Sequence, residues 1–229
     1  MRQTKNYIRR YLPLSAVFDT LLRKKLALLD PQNWDDKNDR RFMQLYKEAK
    51  HLNSLYALCA ATCTETYAHW RVYSPAAEGA CIEIWREPLE AALKETKYVR
   101  FRDMKYVKLE DVDHLGPADL EDLPFSKRVG YGSEREYRII AWSKKPQAAA
   151  LEIDIDLNWV KKIELNPWMP KSLADSVQTM LKAVPNCENL ATSQSSLIDN
   201  QRWRDAGDRV LGRPPGGAET TLSPPKKSK

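Results

Sequence analysis

The feature that most constrains the fold is a run of eight mostly apolar residues, 55–62, the most apolar stretch of the chain. A run of this length bounded by polar residues is typical of a strand that is buried on both faces, so we predict a central strand here. Residues 80–85 and 134–142 show shorter or alternating patterns that also favour strands. Because irregular helical patterns lie between them, the order predicts an α+β fold and not a regularly alternating doubly wound sheet.

The chain of 229 residues is long enough for one domain with its own core. We predict a single domain over residues 1–211. From residue 212 to residue 229 Pro, Gly, Ser and Lys dominate, a composition that cannot bury a core, so this segment is predicted to be a disordered basic tail.

The net charge of +6 is concentrated at the two ends of the sequence. The first ten residues contribute +4 and the tail contributes +3, which leaves −1 for the rest of the chain. Nucleic-acid binding needs a concentrated basic surface, and the body of the chain does not show one in its sequence.

The four cysteines lack the paired spacing of a zinc site, since no second pair follows Cys59 and Cys63. Residues 33–39 hold several carboxylates but no glycine at the turning position of a calcium loop, so we predict a solvated acidic loop and no metal. No signal peptide or membrane-length apolar run is visible. We therefore expect a cytoplasmic protein with no membrane partner.

Several motifs occur in an order that points to a family. Trp70-x-x-Tyr73 precedes Gly-Ala-Cys-Ile-Glu at 79–83, and Glu-Arg-Glu-Tyr-Arg at 134–138 begins a strand. In these motifs the chain resembles the bacterial domain-of-unknown-function family 2971 (DUF2971) over residues 7–203. The family tends to begin with a Tyr-Lys-Tyr type of strand, where this chain has Ile-Arg-Arg-Tyr at 8–11. The family name carries no chemistry.

The arrangement is also similar to that of ADP-ribosyltransferase-like toxins. The shared features are a first strand with a polar end, a helix, a short second strand and a late glutamate leading into an apolar strand. The resemblance implies a mixed, partly split sheet across which NAD lies as a substrate. It further implies a role as a toxin or phage-defence effector, with a protein or a nucleic acid as the acceptor.

The same resemblance implies roles for individual residues. Glu136 would be the catalytic carboxylate, with Glu134 as the competing assignment because the two would share one strand face. Arg10 would hold the pyrophosphate. The other candidate ligand-binding residues are Tyr11, Trp70, Tyr73, Lys127 and Arg138.

Among these, Trp70 and Tyr73 would line the pocket for the base. A plainer interpretation is that Glu136 pairs with Arg138 or Lys127 at an exposed strand edge.

Two other classes of function stay open. Glu134, Glu136 and Lys127 could imitate the carboxylate and lysine cluster of a metal-dependent nuclease. Alternatively, the centre rich in Trp and Tyr could belong to a non-enzymatic module that binds a nucleotide or a protein.

Overall fold

The computed structural model describes residues 6–74, 77–143 and 150–214. Chain contacts divide the protein into two units, Met1–Ser195 and Ser196–Lys229. The strands of the first unit are β1 (Tyr7–Pro13), β2 (Lys25–Leu29), β3 (Ser54–Ala61), β4 (Gly79–Trp85), β5 (Val99–Asp103), β6 (Lys105–Val107), β7 (Ser126–Arg128), β8 (Glu136–Ser143), β9 (Ala150–Asp154), β10 (Val160–Leu165) and β11 (Thr192–Gln194). Its α-helices are α1 (Leu14–Arg23), α2 (Lys37–Ala49), α3 (Tyr67–Tyr73), α4 (Arg86–Glu95) and α5 (Lys171–Lys182).

The second unit contains helix α6 (Gln201–Val210). Most of the predicted tail, residues 215–229, lies outside the described residues. The prediction of one domain over residues 1–211 stays a prediction.

The main sheet is mixed but mostly antiparallel, and its strand order is β11-β10-β4-β1-β3-β2-β9. The predicted central strand is confirmed, since β3 is buried at every position except Cys59. Along one edge β3 pairs with the whole of β8, from Ser54↔Ser143 to Ala61↔Glu136, and β5 pairs with β8 in turn.

The sheet is split along the other edge of β3, as predicted. There β1 pairs with β3 only at Arg9↔Ala61, and β2 pairs with β3 only at Leu29↔Ala57. The two neighbouring strands therefore diverge along the same edge. The split leaves room between the half-sheet β11-β10-β4-β1 and the half-sheet that contains β3.

The main core packs helices onto one face of the first half-sheet. Ile8, Ile82 and Ile163 are fully buried there, and Val17 of α1 and Leu181 of α5 belong to the same cluster. Helix α1 buries Val17, Thr20 and Leu21, which is the spacing of one helical stripe. Because side chains alternate along a strand, Arg9 and Tyr11 of β1 are directed to the face of the sheet opposite to Ile8.

The part of the chain that the structure describes holds no helix with both the length and the apolar character needed to span a bilayer.

Candidate active site

A cavity lies where β1 and β3 diverge. Its walls come from β1, β3, helix α3 and the chain around the start of β8, and it encloses about 60 Å³. This volume is below the range of small-molecule sites, so a ligand of usual size would extend out of the cavity. The lining residues are Arg9, Tyr11, Cys59, Ala60, Ala61, His69, Tyr73, Glu134 and Glu136.

Glu136 supplies a buried carboxylate to this cavity. It is the first residue of β8 and pairs with Ala61 of β3, which brings its side chain to the split in the sheet. Its Oε1 accepts a hydrogen bond from Arg138 Nε at 2.7 Å, and its Oε2 accepts one from Lys127 Nζ at 3.2 Å. Burial acts to raise the pKa of Glu136, but Arg138 and Lys127 outweigh it and lower the pKa to about 2. The carboxylate is therefore ionised at neutral pH.

Arg138 holds Glu136 in place, and each of its three side-chain nitrogens donates a hydrogen bond. Its side chain is fully buried, and it donates from Nη1 and Nη2 to the two carboxylate oxygens of Asp39 at 2.7 and 2.6 Å. Nη1 also donates to the Pro124 carbonyl at 2.9 Å, and the guanidinium lies 4.6 Å from the centre of the Trp34 ring. Arg138 does not line the cavity, so the expectation that it binds a ligand directly is wrong.

Asp39 is also buried, which corrects the prediction of a solvated acidic loop at this position. Burial raises the pKa of Asp39, although the charge of Arg138 opposes the change. Lys127 Nζ lies 3.9 Å from Asp39 but 3.2 Å from Glu136, so its charge favours the ionised form of Glu136 more strongly.

Lys127 links the two glutamates of the site. Its Nζ donates to Glu134 Oε2 at 2.7 Å and to Glu136 Oε2 at 3.2 Å. Burial acts to lower the pKa of Lys127, but the two carboxylates outweigh this effect and raise it. Pairing of Glu136 with both Lys127 and Arg138 is thus observed, but in a buried cavity wall and not at an exposed strand edge.

Glu134 lines the cavity, but it does not lie on the strand where it was predicted. It ends a 3-10 helix, Val129–Glu134, and Arg135 follows in the left-handed conformation with φ of 46°. The two glutamates therefore do not share a strand face, because the turn at Arg135 precedes β8. The turn nevertheless directs both carboxylates towards the same cavity.

Arg9 presents unused hydrogen-bond donors. Its Nη2 donates to Glu83 Oε1 at 2.5 Å, whereas its buried Nε and Nη1 atoms have no hydrogen-bond partner. The residue is only 6% exposed. The buried Tyr11 hydroxyl is also without a partner. Unpaired buried donors are costly, and both residues line the cavity.

Arg10 was predicted to bind phosphate, but it does not line the cavity. In a strand, neighbouring side chains alternate between faces, and the cavity is lined by Arg9 and Tyr11 but not by Arg10. Arg10 is buried, and its Nη2 donates to the Ala27 carbonyl of β2 at 2.8 Å. Its role is therefore to join β1 to β2 across the split, and burial lowers its pKa to about 10.

Aromatic rings form another wall of the cavity. The His69 ring stacks on Tyr11 with centroids 5.4 Å apart, and Tyr73 lies on its other side at 6.1 Å. His69 contacts Thr66 Oγ1 through Nδ1 at 2.8 Å and the Glu134 carbonyl through Nε2 at 3.1 Å. Burial lowers the pKa of His69, so a neutral ring holds α3 against the start of β8.

Trp70 lies behind this wall and does not line the cavity, contrary to the prediction. It is fully buried, packs edge-on against Tyr11 at 4.9 Å and donates from Nε1 to Glu65 Oε2 at 2.9 Å. Tyr73, which is 42% exposed, lines the cavity, and its role in a pocket for the base stays a prediction.

Arg9, Asp39 and Cys59 were not among the residues predicted from the sequence. The alternation within β1 was the available signal for Arg9, because it shares a face with Tyr11. Across the described ranges, no group of three or more His, Cys, Asp or Glu side chains is arranged to hold a metal ion.

Comparison with known proteins gives only distant matches. No protein-family model matches the chain, and no curated protein matches it. A structure of Thermus sp. 2.9 DarT in complex with NAD+ is 11% identical, with a TM-score of 0.43, over 85% of this chain and 98% of that chain. The same protein in complex with ADP-ribosylated ssDNA has a TM-score of 0.44 at 11% identity and the same coverage. At TM-scores below 0.5 the similarity is too distant to assign a function to this chain.

Proposed function

We propose that this protein is an NAD-using, ADP-ribosyltransferase-like enzyme whose reaction takes place in the cavity at the split of the sheet. One observation carries the proposal. The ionised, rigidly held carboxylate of Glu136 lines the same cavity as Arg9, whose buried Nε and Nη1 donors have no partner among the described residues. A substrate that develops positive charge at one atom and carries a negative group elsewhere is complementary to this pair.

The glycosidic bond of NAD meets the first requirement. When the bond between the ribose C1′ and the nicotinamide nitrogen breaks, its electron pair leaves with the nicotinamide, and positive charge develops on the ribose. A carboxylate close to the ribose stabilises that charge. An acceptor nucleophile then forms the new bond to C1′ and gives up its proton.

Glu136 is suited to this role because it is fixed before the substrate arrives. Arg138 holds Oε1 at 2.7 Å, and Asp39 holds Arg138 through two further bonds. A group that is already oriented costs no reorganisation during the reaction. Glu134 is bonded to Lys127 and stays the competing carboxylate.

Arg9 meets the second requirement. Its free Nε and Nη1 atoms are donors for a phosphate oxygen, and the Tyr11 hydroxyl adds a third donor next to them in β1. Tyr73, half exposed at the cavity wall, offers an aromatic face to the nicotinamide ring. We accordingly transfer the phosphate-binding role from Arg10 to Arg9.

Membership of the DUF2971 family and a role as a toxin or phage-defence effector are parts of the same proposal, and they rest on the sequence resemblance. The acceptor is a protein or a nucleic acid. The nuclease alternative is less well supported, because Lys127 Nζ already bonds the carboxylates of both Glu134 and Glu136.

The proposal is tested by incubating purified protein with labelled NAD+ and with protein or oligonucleotide acceptors. Glu136→Gln should lower the rate of transfer by about a hundredfold or more while NAD+ still raises the melting temperature. Arg9→Gln should instead raise KM, because it removes a contact to the bound phosphate. Glu95→Gln, an exposed carboxylate outside the cavity, is the matched control and should have no effect.

Each alternative predicts a different result. Transfer that survives in Glu136→Gln but not in Glu134→Gln would assign the chemistry to Glu134. Thermal protection by NAD+ without transfer in any acceptor mixture would favour a nucleotide-binding module. Neither protection nor transfer would reject the use of NAD.

A further inference from the structure

A second concave surface, separate from the cavity, lies between helix α2, the short strands β6 and β7 and the 3-10 helix Leu109–His114. We call it the α2 groove, and it is defined by Asp36, Asn38, Asp39, Arg41, Phe42, Val107, Leu109, Val112, Leu115, Ser126, Lys127 and Arg128. It encloses about 370 Å³, which is within the range of small-molecule sites.

The walls of the α2 groove are largely apolar. Phe42 contributes from α2, Val107 from the end of β6, and Leu109 and Val112 from the 3-10 helix. Leu109 is 65% exposed although it borders a concave surface. Apolar side chains that remain open to solvent inside a concavity mark a surface that gains free energy when a ligand covers them.

The charges of the α2 groove are not balanced. Asp36 accepts hydrogen bonds from the backbone N–H groups of Asn38 and Asp39 at the start of α2, at 2.9 and 3.4 Å. Asp39 is paired with Arg138. Asp39 is thus paired with a cation, whereas Asp36 is bonded by backbone N–H groups and keeps its negative charge.

Two cations of the α2 groove have no ion-pair partner within the described ranges. Lys127 is bonded to Glu134 and Glu136, but Arg41 and Arg128 form no ion pair with any carboxylate among the residues that the structure describes. Both arginines are exposed. The groove thus combines an apolar wall with two exposed arginines that have no ion-pair partner in the part of the chain that the structure describes.

We propose that the α2 groove binds a small organic anion with an apolar body, of the acyl or aryl carboxylate or sulfonate class. The acid group pairs with the free arginines, and the hydrocarbon part covers the wall formed by Phe42, Leu109 and Val112. A nucleic-acid backbone fits less well, because it requires a row of cations along an extended track. This inference does not depend on the proposed reaction with NAD.

The proposal is tested with 1-anilinonaphthalene-8-sulfonate, an aryl sulfonate whose fluorescence rises in an apolar site, titrated into the full chain. We expect one saturable site, weakened about threefold to tenfold by Arg41→Gln or Arg128→Gln. Val112→Asp, which adds a negative charge to the apolar wall, should lower the affinity for the probe at least as much. Urea unfolding of each variant checks that the fold is retained.

Three controls make the result specific. Arg202→Gln removes an exposed arginine elsewhere, and Trp203→Ala removes the exposed tryptophan of α6; neither should change the affinity. The uncharged N-phenyl-1-naphthylamine should bind more weakly than the sulfonate and should be insensitive to both arginine variants. An unchanged sulfonate affinity in both arginine variants, or loss of binding in Trp203→Ala, would overturn the proposal.

Discussion

Replacement of Glu136 by glutamine should destabilise the protein by an amount that depends on pH. The buried carboxylate bonds Arg138 and Lys127, and its pKa falls from 4.5 to about 2 in the folded protein. At about 1.4 kcal/mol per pKa unit, this difference contributes about 3 kcal/mol to the free energy of unfolding at neutral pH.

The sign of the pH dependence follows from the lowered pKa. A carboxyl group with a lower pKa in the folded state stabilises the fold above its unfolded pKa of 4.5, and the contribution is lost as the pH falls towards about 2. By this linkage about 1.4 kcal/mol of the contribution is lost between pH 7 and pH 3.5. The gap in stability between wild type and Glu136→Gln should therefore narrow by about that amount.

Urea unfolding followed by tryptophan fluorescence at pH 7 and pH 3.5 measures this gap directly. Glu95→Gln, at an exposed position, should show little change at either pH. A gap for Glu136→Gln that is the same at both pH values would refute the assignment of Glu136 as a carboxylate held ionised by two cations.

Two further predictions concern packing and accessibility. Gly79→Ala should lower the free energy of unfolding by at least roughly 1–3 kcal/mol, because the new Cβ would lie 1.6 Å from Ser74 Oγ. Urea unfolding should show a smaller loss when Ser74 is also replaced by glycine. An equal loss in that background would contradict the clash. Desolvation at the cavity wall and the nearby Glu136 carboxylate raise the pKa of the Cys59 thiol, so its labelling by maleimide at pH 7 should be slow although its side chain is accessible. It should still precede that of the three buried cysteines because Cys59 borders the cavity; peptide mapping that finds a buried thiol labelled first would contradict this geometry.

Much of the fold could be predicted because strands carry a local signal. The apolar run at residues 55–62 predicted a buried central strand, and β3 covers Ser54–Ala61. The late glutamates were correctly expected before an apolar strand, since β8 begins at Glu136. Hydrophobic pattern alone accounts for both results.

The site was harder to predict because its contacts depend on side-chain direction and on distant residues. Assigning Arg10 instead of Arg9 shifted the cavity face of β1 by one residue, and in a strand such a shift reverses every side chain. The bond between Arg138 and Asp39 joins residues 99 positions apart. No local pattern signals that contact, so Asp39 looked like part of a solvated loop. The turn at Arg135 separates Glu134 from the strand, and its left-handed backbone has no clear signature in an arginine.

Release of nicotinamide from NAD+ by the purified protein tests the central claim most directly. Chromatography of the reaction with and without acceptors should detect free nicotinamide from wild type and from Glu95→Gln. Folded Glu136→Gln should release nicotinamide at a rate at least about a hundredfold lower. Absence of nicotinamide from the wild-type reaction under all acceptor conditions, together with an unchanged melting temperature in NAD+, would contradict the account.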